Sequence, residues 1–166
     1  MSDAHSIPGF VVTSMHLNPA NEMLVSASMR LLRTILVNAP LPQNMAGLLA
    51  FDVGQAEQHI VASMPSVILY ARNGSLCLDV LTCLYQNFPL RVRRPTDVMA
   101  CVLRNLMTYS DNPVVRDSAL TLMHTIIAGF WISTARARVL GAGQVCPCVK
   151  DIMPLVVCSL RVADVQ

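Results

Sequence analysis

Cysteine, histidine and arginine are the first residues here to question for chemistry. Cys146-Pro147-Cys148 is a C-x-C pair in a glycine-bearing loop, with Cys158 further on. A tetrahedral metal site usually takes two C-x₂₋₄-C pairs, or one such pair with a histidine pair. No second pair is present, His124 belongs to a different segment, and His5, His16 and His59 are scattered. The pattern assigns no metal and no cofactor. Most of the six cysteines, which include Cys77, Cys83 and Cys101, sit among Leu, Val and Met at helical spacing. That is the setting of reduced, buried thiols in the cytosol or nucleus.

Two arginine groups come next. Arg91, Arg93 and Arg94 fall in LRVRRP, and Arg136 and Arg138 fall in TARAR. Each suits a phosphate or an acidic partner. No aromatic residues are interleaved for base stacking, no Gly-Lys-Ser loop cradles phosphate, and the net charge is only +2. A nucleic-acid partner is therefore the weaker reading, and solvated connections beside apolar helices the plainer one. Trp131, in GFWIS, suits either end-of-helix packing or an anchor for a partner. The 10 acidic residues converge on no motif with a histidine or a nucleophile, and G-x-S-x-G, H-E-x-x-H and G-x-G-x-x-G are absent. The expectation is a protein without catalytic residues, and a small helical enzyme or metalloprotein is the least favoured class.

The elements that would position these groups follow from composition and period. Hydrophobic residues make up 54% of the 166 and charged residues 13%, against usual values of about 45–50% and about 25%. Disorder is excluded. So few charges imply that some apolar surface meets a partner, more of the same chain, or lipid. The opening MSDAHSIPGF has no basic region followed by an apolar core, so a cytoplasmic or nuclear location is expected. The uncharged run from Ser118 to Ala135, which no other exceeds in length, just reaches the lower limit for a membrane span, about 17–18 residues. It contains His124 and several Ser and Thr, and its apolar residues continue a stripe that begins among charges. A buried helix is preferred, and a membrane-associated helical protein is kept as an alternative.

Helical periodicity recurs along the chain. In SDNPVVRDSALTLMHTII, Asp111 or Asn112 can accept from the first-turn amides and Pro113 suits the first helical position. Val115, Ala119, Leu122, Met123, Ile126, Ile127 and Phe130 then mark one face. Similar stripes run from Leu24 to Leu36, Cys77 to Phe88, Met99 to Leu106 (a helix begun by Thr96 or Asp97) and Val149 to Leu160. Nothing alternates with period two over a useful length, and VILY (Val67 to Tyr70) fits a helix as well as a strand. NAPLPQN, RNGS (Arg72 to Ser75), NFPLRVRRPTD and GAGQVCPC read as the turns and connections between helices.

The helices also repeat. SMRLLRTIL, CLDVLTCLY and ALTLMHTII overlay without gaps, beginning at Ser28, Cys77 and Ala119, with spacings of 49 and 42 residues. IPGFVV, MPSVIL and MPLVVC form a second set, with Pro8, Pro65 and Pro154 in register. The order is A-helix, turn, B-helix, with a proline expected to kink the A-helix. A period of about 40–47 residues built from helix pairs marks an α-solenoid, in which one pair buries its apolar face only by stacking on the next. The segment around Asp111, Pro113, Val115, Arg116 and Ala119 resembles the second helix of a HEAT repeat. MPSVIL and MPLVVC resemble that repeat's proline-containing first helix. The departures are the missing Val-Arg step after Pro65 and the missing proline in the A-helix before Asp111.

The resemblance implies an all-α, right-handed HEAT- or armadillo-like solenoid of about three to four helix pairs. The whole chain, 1–166, forms one domain, with units near 6–38, 58–88 and 96–132, a partial unit at 147–166 and an insertion at 39–57. A globular bundle is the rival. In the solenoid, Arg116 lies near a turn carboxylate and ties neighbouring repeats. Such folds present long curved surfaces, so the implied function is a non-catalytic scaffold or adaptor for other proteins, with Arg91, Arg93, Arg94, Trp131, Arg136 and Arg138 as contact residues. A helical nucleic-acid-associated factor is a further alternative. The ends lack polar capping helices, so self-association, or packing onto further repeats of a longer array, is also expected.

Overall fold

The computed structural model describes residues 7–38, 52–67, 70–89, 92–139 and 148–164, with backbone alone for 66–67, 130–139, 148–152 and 163. Within these residues all regular structure is helical. The helices are α1 (Ile7–Leu17), α2 (Glu22–Val37), α3 (Val53–Val67), α4 (Ala71–Asn87), α5 (Pro95–Thr108), α6 (Pro113–Val139) and α7 (Cys148–Asp164).

Local chemistry sets where several of them begin. The Asn21 side chain accepts from the Leu24 amide at 3.1 Å and starts α2. Asp52 does the same for Gln55 at 3.0 Å and starts α3. Asn112, rather than Asp111, caps α6, accepting from the Val114 and Val115 amides at 3.0 and 3.2 Å. Pro113 follows at the first helical position, where the missing amide hydrogen costs nothing. Helix α5 starts at Pro95, ahead of the expected Thr96 or Asp97.

The packing order defines the architecture. α1 packs on α2, α3 on α4, and α5 on α6, as helical pairs. The odd-numbered helices then contact one another in sequence, α1 on α3, α3 on α5 and α5 on α7. The even-numbered ones do the same, α2 on α4 and α4 on α6. The result is two layers, A (α1, α3, α5, α7) and B (α2, α4, α6). Among the described residues, no substantial packing joins α1 or α2 to α6 or α7. This pattern is compatible with a helical repeat.

The three matched B-helix blocks occupy equivalent places. Ser28, Cys77 and Ala119, the small residues that begin them, are all buried, and so are Leu32, Leu81 and Met123 at the fifth position. Small residues at the first position allow close approach of the backbones. At the fourth position Val80 and Leu122 are buried and Leu31 is exposed, and the middle block lies between α2 and α6.

Three expectations change. Arg72 to Ser75 is the first turn of α4 and not a free turn. The reason is tertiary: Asn73 Nδ2 donates to Glu22 Oε1 at 3.0 Å, and Asn73 Oδ1 accepts from the Ser26 hydroxyl at 3.1 Å. These bonds to α2 outweigh the turn preference of Asn-Gly. Second, α3 starts at Val53, so the stretch expected as an insertion to residue 57 contributes buried Val53, Ala56 and Glu57 to the core. Third, the prolines differ in position. Pro8 is the second residue of α1 and Pro65 lies in the last turn of α3, so only Pro154 is well inside a helix.

Candidate protein-binding surface

The connector between α4 and α5 carries the first arginine group. Glu57, on α3, is fully buried beneath it. Its carboxylate accepts from the Tyr85 hydroxyl at 2.6 Å and from the amides of Arg93 and Arg94 at 2.8 and 3.1 Å. The connector is thus held through its peptide nitrogens, close to the first turn of α5, where a negative charge suits the helix dipole. Both arginine side chains stay outside. Arg94 bonds Asp97 at 3.3 Å and Gln58 at 3.4 Å. The Arg93 stem lies beside Gly54, its Cδ at 3.7 Å from where a Cβ would stand. Arg91 lies outside the described residues. Trp131, Arg136 and Arg138 belong to the last third of α6, where side chains are not described.

The B-layer has its own polar rail. Asp79, on α4, pairs with Arg33 of α2 at 3.6 Å and accepts from the Ser118 hydroxyl of α6 at 2.9 Å. One half-buried carboxylate therefore touches all three B-helices. Asn87 adds a bond to the Leu36 carbonyl at the end of α2, at 2.7 Å. Of the expected repeat positions, Val115, Ala119 and Pro8 are buried, Arg116 is half-buried, and Asp111, Pro113, Pro65 and Pro154 are exposed.

Two histidines that look unrelated in the sequence meet across the A-layer. The rings of His16 and His59 lie 4.2 Å apart, tilted by 38°. Partial burial and the neighbouring His16 hold the His59 pKa below its usual 6.5. Cys77, Cys83, Cys101 and Cys158 are free thiols. Burial raises the Cys77 thiol well above its usual range and pushes Cys101 up to about 11, so neither supplies a thiolate at neutral pH. Cys158 is exposed on α7. Cys146 and the side chain of Cys148 lie outside the described residues. Among the described residues no three metal-ligating side chains gather.

The expected membrane alternative also meets a finding. No helix among the described residues is long and apolar enough to cross a membrane. Residues 118–135 fall in α6, whose Ala119, Leu122, Met123 and Ile126 are buried in the core.

Sequence reasoning missed Glu57, Asn73 and Asp79. A signal for Glu57 exists: Val53, Ala56, Glu57 and Ile60 fall at i, i+3, i+4 and i+7, so the carboxylate sits in an apolar register. Comparison with protein-family models, curated proteins and solved structures gives no match.

Proposed function

We propose that this chain is a right-handed helical-repeat module of HEAT or armadillo type that serves as a scaffold or adaptor for other proteins, with no catalysis of its own. The observation that supports this is the order of packing, A-helix on A-helix and B-helix on B-helix, with pairs added along one direction. Stacks of this kind offer long surfaces to which extended partners bind. The contact residues in this reading are Arg93 and Arg94, together with Arg91, Trp131, Arg136 and Arg138. Arg93 and Arg94 rise from a connector whose backbone is anchored from below by Glu57. They can engage an acidic partner without disturbing the core.

The test is a double charge reversal, Arg93→Glu with Arg94→Glu. Stability is expected to change by less than about 1 kcal/mol, since one exposed ion pair, Arg94 with Asp97, is lost. A partner recovered from cells by cross-linking to the unaltered chain should no longer be recovered. Undiminished recovery overturns the assignment of this surface, and absence of any specific partner overturns the adaptor reading.

A further inference from the structure

Asn73 is the only asparagine in the chain that precedes a glycine. Such a step is prone to attack itself, because glycine has no side chain to shield its amide nitrogen and lets the backbone bend freely. Gly74 N gives up its proton and adds to the Asn73 side-chain carbonyl carbon, Cγ. The Cγ–Nδ2 bond breaks, Nδ2 takes that proton and leaves as ammonia, and a cyclic succinimide remains. Water then opens the ring at either carbonyl. One product is aspartate. The other is isoaspartate, in which the main chain runs through Cβ and Cγ. Nothing is oxidised or reduced, and water is the only co-reactant.

The fold restrains every group in that reaction. Asn73 is 7% exposed and Gly74 is buried. Nδ2, the leaving nitrogen, donates to Glu22 Oε1 at 3.0 Å, and Oδ1 accepts from the Ser26 hydroxyl at 3.1 Å. The Gly74 amide donates to the Tyr70 carbonyl at 3.0 Å, so the nucleophile keeps its proton. Ring closure also requires Asn73 to leave helical ψ, and Asn73 lies in the first turn of α4. Tyr70, which precedes that turn, makes no side-chain capping bond to it. The polar anchor of the turn on α2 is the pair of bonds from Asn73. One amide is thus both the lock on this turn and the group that reacts when the lock opens.

We infer that Asn73-Gly74 is a deamidation site, silent while α4 is docked on α2, and that its reaction is a one-way switch against redocking. The product lacks what the joint requires. An aspartate side chain at 73 cannot donate to Glu22, and it sets a second carboxylate at hydrogen-bond distance from the first. Like charges that close repel. A carboxylate in the first turn does gain from the helix dipole, but the lost charge-assisted bond and the repulsion together outweigh that gain. Isoaspartate adds a carbon to the main chain and breaks the helical geometry of the turn outright. The inference needs only the contact of α2 with α4, so it stands apart from the adaptor reading.

Peptide mass spectrometry on the unaltered chain tests it. The chain is held for days at mildly alkaline pH, one sample folded and one in urea. The unfolded sample should lose the Asn73 amide at least about tenfold faster than the folded one, whose rate follows only transient opening of the turn. Glu22→Ala combined with Ser26→Ala should speed the loss in the folded chain, with helicity by circular dichroism retained. Chain modified in urea and then refolded should unfold at a lower urea concentration than fresh chain. Asn73→Asp should reproduce that shift. Glu22→Gln added to it should recover most of the shift, because the new amide donates to the carboxylate at 73. Equal rates in the folded and unfolded samples overturn the inference, as does a double variant that reacts no faster than the unaltered chain. Modified chain that unfolds at the same urea concentration as fresh chain overturns the switch.

Discussion

Glu57 ties α3 to α4 and to the connector that leads into α5. A buried carboxylate is costly unless its oxygens are satisfied, and here one hydroxyl and two amides satisfy them. Glu57→Ala removes the acceptor and leaves three donors behind, so urea unfolding should show a loss of about 2–4 kcal/mol. Tyr85→Phe should cost about 1–2 kcal/mol, because the connector amides keep their partner. The cysteines give an independent check. Alkylation followed by mass spectrometry should label Cys158 ahead of Cys83 and leave Cys77 and Cys101 almost unlabelled until the protein unfolds. His59 adds a pH dependence with a definite sign. Its folded pKa is lowered, so the unfolded chain takes up the proton first as pH falls through 6.5. Stability is then lost with falling pH until the folded ring is protonated as well. Thermal melts should show that slope for the unaltered chain and a weaker one for His59→Gln. His16→Gln should reduce it only in part, since burial is the larger cause of the shift.

At the scale of the helix, the matched blocks make a quantitative statement. Leu32, Leu81 and Met123 share the fifth position and are all buried, but α4 alone has a B-helix on each side. Leu81→Ala should therefore cost about 2–5 kcal/mol, at the upper end of that range, and more than Met123→Ala, as measured by denaturant unfolding. Much of this level was legible before the structure. The stripe from Val115 to Ile126, the proline at the start of α6 and the three aligned blocks all rest on local signals, namely period, capping and residue size. What was not legible came from contacts distant in sequence. Arg72 to Ser75 carries turn residues, yet two bonds from Asn73 to α2 draw it into a helix. Asp79 and the His16–His59 pair give no hint in their own segments of what they meet. The start of α3 at Val53 falls inside the stretch expected as an insertion, because Glu57 interrupts the apolar stripe and its partners Tyr85, Arg93 and Arg94 are distant in sequence.

For the whole molecule, the packing order predicts how stability is distributed. Each unit gains its burial from its neighbours, so damage should stay near where it is made. Met15→Ala loosens α1 against its neighbours α2 and α3. Hydrogen exchange should accelerate in α1 and α2 while the amides of α5 and α7 keep their protection. Equal acceleration everywhere would point to a single cooperative core and would sink the layered description. That contrast between stack and bundle was open in the sequence, because aligned apolar blocks suit both arrangements. Only the identity of each helix's neighbours separates them.

The anchoring of residues 93 and 94 has one more consequence. Glu57 grips main-chain nitrogen, which every amino acid except proline offers with a hydrogen attached. The fold is therefore indifferent to which side chains stand there. Nineteen of the twenty letters satisfy the grip at either site, so natural drift or an engineer can rewrite the side chains of this corner while the frame beneath it keeps its shape.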